Sequence, residues 1–182
     1  MNYCSHCAAP VVLEIPPDDN LARFVCTSCS RVHYQNPKVV VGCIPIWDER
    51  ILLCKRNIEP RKGSWTLPAG YLECSETTEE GARRETFEET GTLVEGLQLY
   101  RLFDISHIDQ VYLMFLARIQ ALDFHPTEES IDVRLFKEKN IPWGNISFPV
   151  IEKTLHHYFN DRRENSFTFR QDQVTQTMKT SS

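Results

Sequence analysis

The sequence predicts a mixed α/β or α+β domain behind a small cysteine-rich unit, and three observations carry that expectation. Strand-like and helix-like periodicities interleave along one stretch of chain from Lys38 to Phe159. Four of the seven cysteines sit ahead of that stretch in two tight pairs, Cys4/Cys7 and Cys26/Cys29, where no long periodic helix is found. Asn36-Pro37 punctuates the chain between the two regions.

The elements follow in order. Residues 1–36 form the first unit, with Pro16-Pro17-Asp18-Asp19 as its turn signal. Residues 38–47 are β-branched and almost continuously apolar, as a buried strand requires; Asp48-Glu49 turns the chain, and residues 51–56 return as a second strand. Residues 57–63 are polar and contain a proline, so a loop is expected. A helix is predicted over residues 77–90. Thr77 followed three residues later by Glu80 makes a capping box, and Gly91 stands where a left-handed glycine cap belongs. Residues 97–106 and 111–121 alternate and are rich in aromatic and β-branched types, and 107–110 between them suit a hairpin connection. A loop at 124–130 and a short strand at 132–136 follow. Ile151, Leu155, Tyr158 and Phe159 recur at helical spacing and mark a closing amphipathic helix. Beyond Glu164 the chain turns polar, so residues 165–182 are expected to be a mobile tail, which leaves 37–164 as the main domain.

Composition narrows the function. With 41% hydrophobic and 25% charged residues the chain reads as a soluble globular protein. Its longest apolar run, residues 39–47, is too short to cross a bilayer and contains Gly42 and Pro45, so no membrane partner is expected. No signal-like segment precedes Cys4, and a cytoplasmic location is the corresponding expectation. The 20 Lys and Arg are outnumbered by 25 Asp and Glu, a net charge of −5. Binding to long polyanions is driven by counterion release onto basic surfaces, so nucleic acid is not an expected partner.

An odd cysteine total argues against a closed disulfide framework. Cys4-Ser5-His6-Cys7 and Cys26-Thr27-Ser28-Cys29 are two CxxC knuckles eighteen residues apart. Each converges two thiolates on one point, and together they complete a tetrahedron around one Zn²⁺. A unit of this size buries too little apolar surface to fold alone, so the metal would supply much of its folding free energy. Four thiolates leave no open coordination position, which makes the zinc structural. Cys43, Cys54 and Cys74 stand apart and read as small buried hydrophobes. The histidines, His33 among them, read as solvated or packed side chains.

The most specific signal lies in the predicted helix. Glu85, Glu88 and Glu89 fall at i, i+3 and i+4, so three carboxylates share one face within a turn. They repel one another, and the nearby bases are only Arg83 and Arg84. A divalent cation would neutralise them, and oxygen-only ligands select hard ions, Mg²⁺ or Mn²⁺. The preceding loop, Trp65-Thr66-Leu67-Pro68-Ala69-Gly70, enters with a glycine that permits close backbone approach, and a carbonyl there would complete the metal shell.

Residues 70–91 resemble the Nudix box, G-x5-E-x7-R-E-U-x-E-E-x-G-U, at every specified Gly, Glu and Arg; the two U positions are Thr86 and Thr92, with some loss of packing expected. The resemblance extends over about residues 3–160 through the cysteine knuckles, Tyr34-Gln35-Asn36-Pro37-Lys38 and Leu53-Cys54-Lys55-Arg56. Within the Nudix hydrolases it is similar to the zinc-ribbon branch that includes the plant plastid FAD/ADP-ribose pyrophosphatase and its bacterial relatives. This implies an α/β class fold, an α/β/α sandwich around a mixed sheet preceded by a small zinc ribbon. It also implies hydrolysis of a nucleoside diphosphate linked to another group, and a homodimer.

Carried over position by position, the resemblance makes Glu85, Glu88 and Glu89 catalytic metal-binding residues, with the Ala69 carbonyl as a further ligand. Glu76 would pair with Arg84 as a structural salt bridge, between Gly70 and Gly91 at the ends of the box. Arg56, at the end of the second strand, is expected to bind the phosphates. Glu129 is the expected general base, with Glu128 in reserve. Tyr71, Tyr100, Phe103 and Tyr112 are aromatic candidates for a flat ring, Tyr71 and Phe103 being taken as substrate-binding. The expected reaction is Mg²⁺-dependent cleavage of FAD or ADP-ribose to release AMP. The alternatives are an NADH or NAD-cap pyrophosphatase, whose Ser-Gln-Pro-Trp-Pro-Phe-Pro signature this sequence lacks, and a nucleotide-sensing adaptor.

Overall fold

In the computed structural model, which describes residues 1–175, the chain divides after Pro37. The first unit, Met1–Pro37, holds a three-stranded antiparallel sheet in the order β1 (Val11–Glu14), β2 (Arg23–Cys26), β3 (Val32–His33). Cys4, Pro16, Val25 and Cys26 are its buried residues, so half of that core is sulfur. Apolar burial of this extent cannot offset the chain entropy of ordering the unit, and a cross-link through the thiols is needed.

The second unit begins with β4 (Lys38–Trp47), whose apolar run lies in the middle of a mixed sheet. β5 (Arg50–Arg56) returns antiparallel to it, and the short strands β6 (Trp65–Thr66) and β7 (Ala69–Tyr71) pair with β5 and β4. After helix α1 (Thr78–Thr90), β8 (Val94–Ile105) and β9 (Gln110–Ile119) form an antiparallel pair joined by a short turn at Ser106–Ile108. β9 runs parallel to β4. β10 (Ser130–Phe136) closes one edge on β5, α2 (Pro149–Glu164) follows, and β11 (Arg170–Gln173) lies parallel to β8 at the other edge. The sheet order is β10-β5-β4-β9-β8-β11.

Both faces of the sheet are covered, which explains why β4 reads as continuous rather than alternating. Ile44, Ile51, Leu53, Met114 and Leu116 pack with Ile151, Leu155, Tyr158 and Phe159 of α2. Their neighbours Val41, Cys43, Leu52, Cys54, Phe115 and Ala117 pack with Ala82 of α1 on the opposite face. The period of two sends adjacent residues to different cores, and the result is the α/β/α sandwich. Fully burying a side chain such as Leu155 contributes about 2 kcal/mol.

Two expectations are corrected. Residues 65–70, read as a loop, contain one short strand and most of a second, which runs on to Tyr71. The tail is anchored as far as Val174: Phe167 packs on the α2 core, Arg101 donates to the Thr168 carbonyl at 2.6 Å, and Asp172 takes Lys153 Nζ at 2.8 Å and His157 Nε2 at 3.0 Å. Polar composition suggested mobility, but apart from Phe167 these ties are themselves polar. The remainder of the expected tail, 176–182, lies outside the described residues.

Candidate active site

Helix α1 begins as its cap predicts. The Glu80 N–H donates to the Thr77 hydroxyl at 3.2 Å and the Thr77 N–H donates to the Glu80 carboxylate at 2.7 Å; Gly91 ends the helix at φ 71° with its N–H on the Phe87 carbonyl. Its buried positions are Gly81, Ala82, Glu85, Thr86, Glu89 and Thr90, with no large apolar side chain among them. Thr86 and Thr92 are enclosed, and their hydroxyls donate to the Ala82 and Ala121 carbonyls. Glu88 and Glu89 lie in the last turns, where the helix dipole disfavours negative charge and the last turn holds no basic residue. A helix that buries carboxylates against its own dipole is organised around something other than stability.

Arg84 gathers the box. Its Nε and Nη2 take both oxygens of Glu76 at 3.0 and 2.7 Å, a bidentate pair. Nη1 donates to Glu85 at 2.7 Å and Glu88 at 3.0 Å, and Nη2 also reaches the Tyr71 carbonyl at 3.1 Å. The Arg84–Glu76 pair thus ties the loop to the helix, while its contacts with Glu85 and Glu88 extend the expected role. β7 places Gly70 against α1 so closely that a side chain at 70 would overlap the Glu85 carboxylate.

Glu85 and Glu89 are 8% and 5% exposed. Burial raises the Glu85 carboxyl above its ordinary value; Arg84 opposes this, and the charges of Glu88 and Glu129 add to it. Burial likewise pushes Glu89 up to about 8, with the Glu85 charge adding. Oε2 of Glu89 accepts from the Ala69 N–H at 3.3 Å and from the Cys54 thiol at 3.3 Å. Crowded, partly desolvated carboxylates beside a bare glycine suit a hard divalent cation. Glu85 lies against that glycine and Glu89 against the neighbouring Ala69 N–H, whereas Glu88 is half exposed and held by Arg84.

The other expected residues divide. Arg56 stands at the end of β5 with Nε on the Pro60 carbonyl at 2.9 Å and its guanidinium 5.1 Å from the Phe148 ring centre, and its charge reaches Glu89. Tyr71 is 47% exposed, with Lys38 Nζ 5.0 Å over its ring and its hydroxyl accepting from Gln110 at 3.1 Å. Burial raises the Tyr112 phenol, which also feels Tyr71, Arg56 and Glu89. Phe103 is corrected: it is fully buried in the α2 core and offers no ring face to a ligand. Tyr100 is equally enclosed, its hydroxyl donating to Asp161 at 2.8 Å.

Glu128 and Glu129 are exposed on a loop tethered to this region. The Asn57 N–H donates to the Glu129 carbonyl and its side-chain amide to the Glu128 carbonyl, both at 2.9 Å, while the Ser130 hydroxyl donates to the Glu89 carbonyl at 2.6 Å. Cys54, Asn57, Ser130 and Phe148 are site residues the sequence does not announce.

In the first unit the four cysteine sulfurs lie within 4.8 Å of one another. Cys4–Cys29, Cys7–Cys29 and Cys7–Cys26 are 3.8, 3.6 and 3.4 Å apart, close to the edge of about 3.8 Å of a tetrahedron with Zn–S bonds of about 2.3 Å. The two knuckles are alike. Ala8 and Ser30, each just after the second cysteine, have φ of 60° and 59°, and their N–H groups return to the Cys4 and Cys26 carbonyls. The N–H groups of Cys29 and Ser28 draw the Cys26 thiol down to about 6. Cys7, despite the Ala9 N–H, is pushed up to about 12 by its hydrogen bonds with Cys26 and Cys29, so without the metal the thiols share protons. His33 is no idle surface group: its Nε2 lies 3.3 Å from Cys4 Sγ, the position of an outer hydrogen-bonding partner.

Comparison with known proteins places these features in a wider set. The NUDIX domain model matches residues 36–154 and the Nudix N-terminal model residues 2–35. A crystal structure of a NUDIX hydrolase from Nitrosomonas europaea is 47% identical with a TM-score of 0.93, over 97% of this chain and 100% of that one. The NAD-capped RNA hydrolase NudC of Chromobacterium violaceum is 31% identical over 157 residues, 85% of this chain but 57% of NudC. The ADP-ribose pyrophosphatase of Methanocaldococcus jannaschii is 31% identical over 113 residues, 60% of this chain and 67% of that enzyme. The chain therefore spans little more than half the length of the NudC it matches.

Proposed function

Because the chain belongs to the NUDIX family and carries that family's N-terminal zinc ribbon, we propose that it is a divalent-metal-dependent pyrophosphatase. Its substrate would be a nucleoside diphosphate joined to a second group, ADP-ribose or FAD, and AMP would be one product. The observation that carries this reading is the pair of enclosed carboxylates at the loop, Glu85 against the bare Gly70 and Glu89 on the Ala69 N–H, with Arg84 holding the loop in place.

Glu85, Glu88 and Glu89, with the Ala69 carbonyl, would hold Mg²⁺ or Mn²⁺. Such a cation screens the diphosphate charge and makes water a better nucleophile at neutral pH. The residues of the chain do the rest. Arg56, its Nε occupied by Pro60 and its plane resting on Phe148, presents its terminal nitrogens to a phosphate. Glu129 takes the proton of the attacking water as oxygen bonds to phosphorus and the bridging P–O bond breaks. The exposed ring of Tyr71 offers a stacking face to the base. The four cysteines would hold Zn²⁺ outside the reaction.

A second reading has support of its own. Similarity to an NAD-capped RNA hydrolase over 85% of the chain favours an NAD-type diphosphate, free or at an RNA end.

The test is a substrate panel with and without Mg²⁺: ADP-ribose, FAD, NADH, NAD-capped RNA and nucleoside triphosphates, with products separated by chromatography. Metal-dependent release of AMP from ADP-ribose or FAD is expected. Preference for NADH or capped RNA would establish the second reading. Nucleotide binding without turnover of any compound would overturn both and leave a sensor.

A further inference from the structure

One buried polar group beside the carboxylates has no part in that mechanism, the thiol of Cys54. Alternation along β5 turns Leu53 toward the α2 core and Cys54 toward α1, where it is 1% exposed. Its Sγ lies 3.3 Å from Oε2 of Glu89 and 3.7 Å from the Thr66 carbonyl. The Ala69 N–H meets the same Oε2 at 3.3 Å. Two donors, one from β5 and one from the start of β7, thus converge on one oxygen of a carboxylate that is itself 5% exposed. Among the described residues no hydrogen-bond donor reaches Oε1.

We propose that Cys54 is a positioning residue, whose S–H, together with the Ala69 amide, clamps Oε2 of Glu89 and so directs Oε1 toward the cation. The inference rests on the reading of Glu89 as a metal ligand. A carboxylate on a helix end has rotational freedom about its terminal bonds, and a ligand oxygen must be held in direction as well as in place. A thiol is a weak donor, so it orients the oxygen while leaving most of the carboxylate charge for the metal. An apolar residue of similar size would fill the space but leave Oε2 with the Ala69 amide alone. A stronger donor would hold the angle equally well, so serine should replace cysteine here and alanine should not.

Two measurements on the zinc-loaded full chain test this without turnover. In the first, the infrared S–H stretch is recorded without added divalent cation, the Cys54 band being identified as the one missing from Cys54→Ala. Glu89→Gln is expected to move that band, because the thiol's acceptor changes from a carboxyl group to an amide. In the second, Mn²⁺ binding is titrated by electron paramagnetic resonance. Cys54→Ala is expected to bind about 10- to 100-fold more weakly, the usual cost of losing a ligand's hydrogen-bonding partner, and Cys54→Ser to stay within about threefold of the parent. A Cys54 band indifferent to Glu89→Gln would overturn the proposal. So would parental Mn²⁺ affinity in Cys54→Ala while Glu89→Gln loses the ion. If Glu89→Gln binds Mn²⁺ like the parent, the reading of Glu89 as a ligand fails first and the positioning role falls with it. Should Cys54→Ala fold poorly, Cys54→Ser, which also lacks the thiol, identifies the band, and the Glu89→Gln spectrum still decides.

Discussion

The carboxylate of Glu85 lies directly against the Cα of Gly70, in the space a side chain at position 70 would occupy. The first residue of the box and its central glutamate are therefore one steric unit. Gly70→Ala should expel the Glu85 carboxylate and lower metal-dependent turnover by about 10- to 100-fold. Circular dichroism should show the helices intact, since only side-chain space is lost. An alanine variant with parental kcat would show that Glu85 acts from elsewhere.

The acidity of Glu89 gives stability a pH dependence. Its folded-state value, about 8, lies above the ordinary 4.5, so the folded chain holds this proton more tightly than the unfolded chain does. The contribution is complete below about 4.5 and is lost as pH rises through about 8. Without added Mg²⁺, Tm should therefore fall across that window, and Glu89→Gln should flatten the slope. A parallel decline in both proteins would assign it to another group.

Zinc should govern the first unit alone. Half of its core is Cys4 and Cys26, so Cys26→Ser or chelation should remove one calorimetric transition while the helical signal of α1 and α2 persists. A thermogram unchanged by zinc removal would refute a structural role for the metal.

The C-terminal segment depends on a buried charge. Arg101 and Asp161 are 1% and 5% exposed and 2.5 Å apart, with the Tyr100 hydroxyl on the same carboxylate oxygen. Asp161→Ala should cost about 3–5 kcal/mol in denaturant unfolding, because the guanidinium stays buried without its partner. A loss below about 1 kcal/mol would mean the site admits water.

Local signals were the legible ones. The Thr77/Glu80 box and Gly91 are decided within a few residues, and both ends of α1 follow from them. The apolar run of β4 announces a strand buried on both faces. That same double burial hides which face each aromatic takes, and so Phe103 reads as readily for a pocket as for a core. Cys54 and Glu89 are 35 positions apart, and nothing near either one reports the other. Asn57 matters through hydrogen bonds to the segment entering β10, and Ser130 through one from β10 to the end of α1, contacts that depend on register rather than composition. His33 closes on Cys4 only because β3 pairs with β2.

Arg84 has an evolutionary consequence. Its guanidinium makes five hydrogen bonds to four residues, Glu76, Glu85, Glu88 and Tyr71. A lysine ammonium has three hydrogens on a single atom and lacks the planar fork that grips Glu76 from two sides. The commonest conservative exchange for arginine is thus barred here, and descendants of this chain cannot drift through lysine at position 84 without first dismantling the loop it secures.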